Sequence, residues 1–205
     1  MRNFAIDGKS ISVFSAVQTE APIIYLNTFA NEGQRVFEVA QVVGCPPFSL
    51  VAISSLDWNL DMAPWDSPAA FKKGEPFTGG ADDYLRLLVE EIIQEAEKEL
   101  LGPPAWRGIA GYSLAGLFAL CAVYQTDVFS QVGCMSGSLW FPGFKEYVFF
   151  HDLRHTFATV ALQSGVDVKT VSAMLGHYDA GFTLRTYTHT NRRMQEKAAE
   201  KMGNF

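Results

Sequence analysis

The chain has no histidine before residue 151, only three cysteines and no apolar run near the length of a membrane span. A bilayer helix needs about 20 apolar residues, so we expect no spanning helix. Cys45, Cys121 and Cys134 form no CxxC pair and leave an odd number, which favours reduced thiols over disulfides. The opening MRNFAIDGKS contains no long apolar region of a secretory signal. We therefore expect a cytoplasmic protein without a membrane partner.

Patterns that bind metals, phosphates or nucleic acids are also missing or weak. The four histidines show no zinc-type spacing with cysteines or carboxylates, and no glycine-rich phosphate loop occurs. We therefore expect neither a metal nor an organic cofactor. Residues 1–147 carry 9 Lys and Arg against 17 Asp and Glu, whereas residues 148–205 carry 7 against 5. Because the larger part is acidic, it would repel a polyanion, and we do not expect DNA as a partner.

Strand-like and helix-like segments alternate over the first three quarters of the chain. The apolar runs APIIYLNTF and PFSLVAISS predict buried strands. Between them, NEGQRVFEVAQVVG has helical spacing and an expected buried stripe of Val36, Val39, Ala40 and Val43. Further along, DDYLRLLVEEIIQEAEKELLG predicts a second amphipathic helix. Such alternation predicts the α/β class, with a mostly parallel sheet and helices on both faces.

The pattern changes to helices alone after Tyr147. Three apolar faces are expected there, on Leu153, Phe157, Val160 and Ala161, on Val168, Val171 and Leu175, and on Met194, Ala198, Ala199 and Met202. We therefore predict two domains, an α/β domain over residues 1–147 and a small all-helical segment over residues 148–205.

The segment GIAGYSLAGLFALCAVY, Gly108–Tyr124, places Ser113 between a predicted strand and a predicted helix. Gly111 and Ala115 lie two positions before and after it, and small residues at these places permit the strained turn that exposes a nucleophilic serine. The amide of Leu114 would begin the helix and could stabilise an oxyanion, with a second donor expected around Thr28. The alternative is a serine that only caps the helix.

Three stretches of the first domain carry a family resemblance: AISSLDWNLDMAPW, FTGGADDYLRLLVEEIIQ and GYSLAGLFALCAVYQTDVFSQVGCMSGSLWFPGF. They resemble the esterases related to enterochelin and ferric-siderophore esterases and to esterase D, which have the α/β-hydrolase fold. The resemblance implies Ser113 as the nucleophile, Leu114 as an oxyanion donor and a small ester as the substrate. Trp58, Trp65 and Trp140 would then line an acyl cleft, unless they belong to the core.

The esterase family also needs an acid and a histidine on loops after later strands, and the chain changes character where those strands should begin. A serine without a base is a poor nucleophile. We therefore expect a truncated hydrolase sheet with little or no activity. The alternative is an active carboxylesterase whose histidine comes from the tail, with Asp152, Asp167 or Asp179 to orient it.

The tail HDLRHTFATVALQSGVDVKTVSAMLGHYDAGFTLRTYTH resembles the C-terminal part of tyrosine recombinases, the phage and transposon integrases. His151 and Arg154 lie one helical turn apart and can face one phosphate. The resemblance adds His177 and makes Tyr187 the nucleophile. The family's other arginine and its lysine should precede this helix, yet no arginine occurs between Arg107 and Arg154.

We interpret the chain as a chimeric fusion of a truncated esterase with an integrase fragment. Three functions remain open: a hydrolase-like protein of little or no activity, an esterase with a recruited histidine, and a DNA-binding or site-specific recombination protein. The recombinase resemblance also implies a homo-oligomer that forms through the C-terminal helices.

Overall fold

A computed structural model describes residues 1–70, 72, 74–175 and 183, without the side chains of residues 150–156 and 163. The chain forms two compact units, Met1–Phe141 and Pro142–Phe205. The first unit contains every strand of the described residues, and the described part of the second is helical. This division agrees with the α/β class and the helical C-terminal part that the sequence predicts.

A six-stranded mixed sheet forms the centre of the first unit, in the order β1-β2-β4-β3-β7-β8. Its strands are β1 (Arg2–Ile6), β2 (Lys9–Phe14), β3 (Ile23–Asn27), β4 (Ser49–Ser54), β7 (Arg107–Tyr112) and β8 (Gln131–Met135). A separate two-stranded ribbon pairs β5 (Asp66–Ser67) with β6 (Phe77–Thr78). The neighbours β4, β3, β7 and β8 are parallel, as the alternating pattern predicts.

The first two strands form an antiparallel hairpin that the sequence analysis did not identify. Asp7 and Gly8 join them with φ angles of 46° and 74°. Two positive φ angles in succession characterise the type I′ turn, for which Asp-Gly is a preferred pair. The dipeptide was therefore a usable signal, and the hairpin makes the sheet mixed because β2 also runs antiparallel to β4.

Helices cover both faces of this sheet, which confirms the predicted layering. Their bounds are α1 (Gly33–Val42), α2 (Trp58–Asp61), α3 (Ala81–Leu87), which continues through a π-helical turn (Leu88–Ile92) into α4 (Ile93–Glu97), and α5 (Leu114–Gln125). Phe37 of α1 packs against Phe14 and Phe48 on one face. On the other face the Tyr25 hydroxyl donates a hydrogen bond to Glu97.

Helix α1 buries a different side from the one its valines predict. Val36, Val39 and Val43 are exposed by 42%, 52% and 69%, so the expected buried stripe is wrong. Gly33 and Phe37 face the sheet instead. A Cβ on Gly33 would collide with the Cβ of Ala52, so glycine at this place lets the helix lie close to the strands.

The second unit contains α6 (Phe144–Gln163) and α7 (Val168–Leu175) among its described residues. Ala158 and Leu162 of α6 pack with Val171 and Leu175 of α7, as the sequence predicts for α7. For α6 the predicted face is shifted by one residue, because Phe157 and Val160 are largely exposed. The third predicted helix, with Met194 to Met202, lies outside the described residues.

The boundary between the units differs from the predicted one. Helix α6 runs through residues 147 and 148 without interruption, and the compact units divide between Phe141 and Pro142. The helix begins after Gly143, whose φ of 84° is a backbone conformation that favours glycine. Proline and glycine at positions 142 and 143 thus mark the transition.

Along the described chain no helix is long and apolar enough to cross a membrane.

Candidate active site around Ser113

Ser113 occupies a strained turn between β7 and α5. Its φ of 56° and ψ of −117° lie where residues with a Cβ are rare. Backbone hydrogen bonds fix this turn. The Ser113 N–H donates to the Met135 carbonyl at 3.0 Å, and the Ser113 carbonyl accepts from the amides of Gly116 at 3.1 Å and Leu117 at 3.2 Å. Ser113 therefore lies in the strand-turn-helix geometry that the sequence predicts for this segment.

Gly111 makes this turn possible. A Cβ at position 111 would lie 2.6 Å from the Cβ of Ala115 and closer still to the Ala115 backbone carbonyl. Since Gly111 has no side chain, the Cβ of Ala115 fits where the usual pattern has a second glycine. The departure from that pattern therefore does not disturb the turn.

The hydroxyl of Ser113 does not cap the helix. No hydrogen bond joins its side chain to the N-terminal amides of α5, so the helix-cap alternative does not describe this serine. Its Oγ lies 3.2 Å from the Oγ of Ser138 instead. Ser138 is 3% exposed, and its N–H donates to the Ser113 carbonyl at 3.0 Å.

Both serines line a cavity of about 220 Å³. Its walls include Trp58, Phe77 and Trp140. Two of the three predicted cleft tryptophans are therefore at this cavity, whereas Trp65 packs edge-on against Phe141 at 5.8 Å between ring centroids. The space suits a small acyl group beside the hydroxyl of Ser113.

The two candidate oxyanion donors differ in their surroundings. Leu114 begins α5 and lines the cavity, so its amide belongs to the first turn, where N–H groups have no acceptor within the helix. The N–H of Thr28 donates to the Ile53 carbonyl at 2.8 Å, and its hydroxyl donates to the Ala30 and Ile53 carbonyls. Because both donors of Thr28 are used, its predicted role does not fit this geometry.

A buried polar network that the sequence analysis missed supports the cavity wall. Lys9 Nζ lies 2.7 Å from Asp61 Oδ2, and that carboxylate also accepts from the Asp57 amide at 2.7 Å. The Asp57 side chain in turn caps α2 by accepting from the Leu60 N–H at 3.2 Å. These bonds fix the short helix that begins with Trp58. An aspartate before a helical segment is a cap signal, but nothing local in the sequence indicates the pairing with Lys9.

The same network continues toward the end of β3. The Tyr84 hydroxyl donates a short hydrogen bond to the Asn27 side chain, and Lys9 Nζ lies 5.9 Å from the centre of the Tyr84 ring. Burial raises the pKa of Tyr84 well above its ordinary value, and the negative charge of Asp61 raises it further. Tyr84 is therefore a neutral hydrogen-bond donor in the interior.

The first unit supplies a serine in a strained turn, a helix amide and a cavity, but no imidazole, because every histidine follows residue 150. After β8 the described chain continues into helices α6 and α7 and forms no further strand. His151 and Arg154 belong to α6, although their side chains are not described. His177 and Tyr187 lie outside the described residues, as does the end of the chain, Gln195 to Phe205, which the recombinase resemblance implies as the segment that docks on a neighbouring subunit. Among the described residues no cluster of His, Cys, Asp or Glu could hold a metal ion.

The fold and the serine turn define the first unit as an α/β-hydrolase-like domain. The IroE-like serine hydrolase of Shewanella oneidensis superimposes with a TM-score of 0.58 at 21% identity, covering 72% of this chain and 51% of that chain. Protein YbbA of Bacillus subtilis is 24% identical over 151 residues, which are 70% of this chain and 60% of YbbA.

The second part of the chain resembles another class. Residues 134–194 match the phage integrase family. A tyrosine recombinase XerC-like protein of Caldanaerobacter subterraneus subsp. tengcongensis is 40% identical over 56 residues, which are 27% of this chain and 14% of that protein. The N-terminal part thus resembles the α/β-hydrolase esterases and the C-terminal part the tyrosine recombinases, as the sequence predicts for a chimera. The chain spans less than two thirds of the length of each of these proteins.

Proposed function

We propose that residues 1–141 form a serine-hydrolase fold that binds a small ester beside Ser113 and hydrolyses it slowly or not at all. The observation that carries the proposal is the strained turn, which presents the Ser113 hydroxyl to a cavity in a unit that contains no histidine. A serine hydroxyl needs a base to accept its proton as it attacks a carbonyl. The amide of Leu114, in the first turn of α5 and at the cavity, would bind the oxyanion.

Hydrolysis of p-nitrophenyl butyrate by the full chain and by Ser113→Ala tests this proposal. We expect equal background rates for the two proteins. A saturable rate well above that background, lost in Ser113→Ala, would contradict the expected little or no activity. If that rate were also lost on replacing His151, His155, His177 or His189 by alanine, the alternative of a recruited histidine would hold.

Added imidazole distinguishes two reasons for inactivity: a missing base, or a serine that cannot act as the nucleophile. Imidazole takes the Ser113 proton while the bond from Oγ to the acyl carbon forms and p-nitrophenolate leaves with its electron pair; water then hydrolyses the acyl serine. We expect imidazole to produce a rate that the full chain shows and Ser113→Ala lacks. The Ser113→Ala protein also corrects for direct hydrolysis by imidazole. Equal rates with imidazole would contradict the proposed nucleophile.

DNA recombination is a second candidate, which the match of residues 134–194 to the phage integrase family favours. The acidic charge of residues 1–147 and the absence of arginine between Arg107 and Arg154 argue against it. We expect duplex DNA to bind no tighter than about 10⁻⁵ M in an anisotropy titration at physiological salt, within the non-specific range. Tighter binding, with a covalent DNA adduct that Tyr187→Phe abolishes, would favour recombination.

A further inference from the structure

Ser138 is held rigidly beside the nucleophile. Its N–H donates to the Ser113 carbonyl at 3.0 Å, and its own carbonyl accepts from the Phe141 amide at 2.9 Å. Ser138 is 3% exposed and lines the same cavity as Ser113. Because both backbone bonds fix its position, the place of its hydroxyl relative to Ser113 is set before any ligand binds.

The direction of the hydrogen bond between the two hydroxyls follows from burial. Within the described part of the chain, the 3.2 Å contact with Ser113 Oγ is the hydrogen bond that the Ser138 hydroxyl makes. Either hydroxyl can donate across this contact. A buried hydroxyl proton without an acceptor costs free energy, which favours the more deeply buried Ser138 as the donor and Ser113 as the acceptor. In this arrangement the proton of the half-buried Ser113 hydroxyl is not donated to Ser138 and stays available to an added base.

We propose that Ser138 is a positioning residue that holds the Ser113 oxygen at the cavity and stabilises the negative charge that develops on it. A hydrogen bond donated to an ionising group favours its charged form. This inference rests on the proposed function of Ser113 as the latent nucleophile. It adds a residue from the loop after β8 to a site otherwise built from the turn after β7.

The substitution Ser113→Cys makes the effect measurable without ester turnover. Iodoacetamide alkylates the thiolate: a carbon–sulfur bond forms and iodide leaves. Because only the thiolate reacts, the pH at which the alkylation rate reaches half its maximum reports the pKa of the thiol. We compare pH-rate profiles of Ser113→Cys alone and combined with Ser138→Ala, Ser138→Gly or Ser138→Thr. Fragment masses must locate the adduct at position 113, because Cys45 is exposed.

Loss of the donor should raise the midpoint of the alkylation profile by about one pH unit in both Ser138→Ala and Ser138→Gly. Ser138→Thr keeps a hydroxyl and should keep the original midpoint. Superimposable profiles, or the same shift in Ser138→Thr, would overturn the inference. Because the assay involves no ester, failure of the imidazole experiment would count against the proposed function alone.

Discussion

Removing the charge of Lys9 should strongly destabilise the first unit. Lys9 Nζ and Asp61 Oδ2 are 2.7 Å apart, with side chains 13% and 7% exposed. Lys9→Met leaves the Asp61 carboxylate buried without its cation, a change that costs about 3–5 kcal/mol in comparable pairs. With a urea dependence of about 2 kcal/mol per molar, the unfolding midpoint should fall by about 1.5–2.5 M.

Urea titration followed by tryptophan fluorescence measures this change directly, because all four tryptophans lie in residues 1–141. The matched control is Lys9→Met combined with Asp61→Asn, which removes the second charge and keeps an acceptor for the Asp57 amide. We expect the double variant to recover most of the loss. A cost below about 1 kcal/mol for Lys9→Met, or no recovery in the double variant, would refute a buried and mutually dependent pair.

Three further outcomes test other parts of the fold. Burial raises the pKa of the Cys121 thiol to about 12, and the negative charge of Asp82 adds a smaller increase. The protonated thiol therefore contributes its full stability below the pKa of the unfolded chain, near 9, and this contribution is lost as the pH rises toward 12. Cys121→Ala should flatten the fall in unfolding free energy that begins near pH 9. Gly111→Ala should prevent folding to the native turn, as judged by soluble yield and circular dichroism, and Ala115→Gly should not rescue it because the clash involves the backbone carbonyl. Phe37→Ala should cost about 2–4 kcal/mol in urea titrations and Val39→Ser less than about 0.5 kcal/mol; the reverse order would contradict the observed orientation of α1.

Local patterns were sufficient to predict the α/β class, the parallel strands and the serine turn. Each follows from the character of neighbouring residues: apolar runs for β3 and β4, and small residues on both sides of Ser113. The antiparallel hairpin could also have been predicted from Asp7 and Gly8. The amphipathic pattern of the second predicted helix gave most of its buried stripe: Leu85, Leu88, Ile92 and Ala96 are buried, whereas Val89 and Leu100 are only partly buried.

Side-chain partners distant in the sequence could not be predicted in the same way. Lys9 and Asp61 are 52 positions apart along the chain, and the ion pair forms because the sheet brings the start of β2 toward α2. The buried face of α1 depends on how closely Gly33 can approach Ala52 of β4. The spacing of apolar residues within the helix holds no information about that contact. The use of both Thr28 donors likewise depended on the neighbouring strand β4.

The sequence by itself determined that this chain joins a hydrolase-like part, with a serine turn and no histidine, to a helical part that resembles recombinases. These are properties of residue identity and of spacing along the chain. Only the tertiary structure decided which hydroxyl accompanies Ser113, which tryptophans line its cavity and which side of α1 is buried. Those relations depend on distances across the sheet, and such distances are set by packing between segments far apart in sequence.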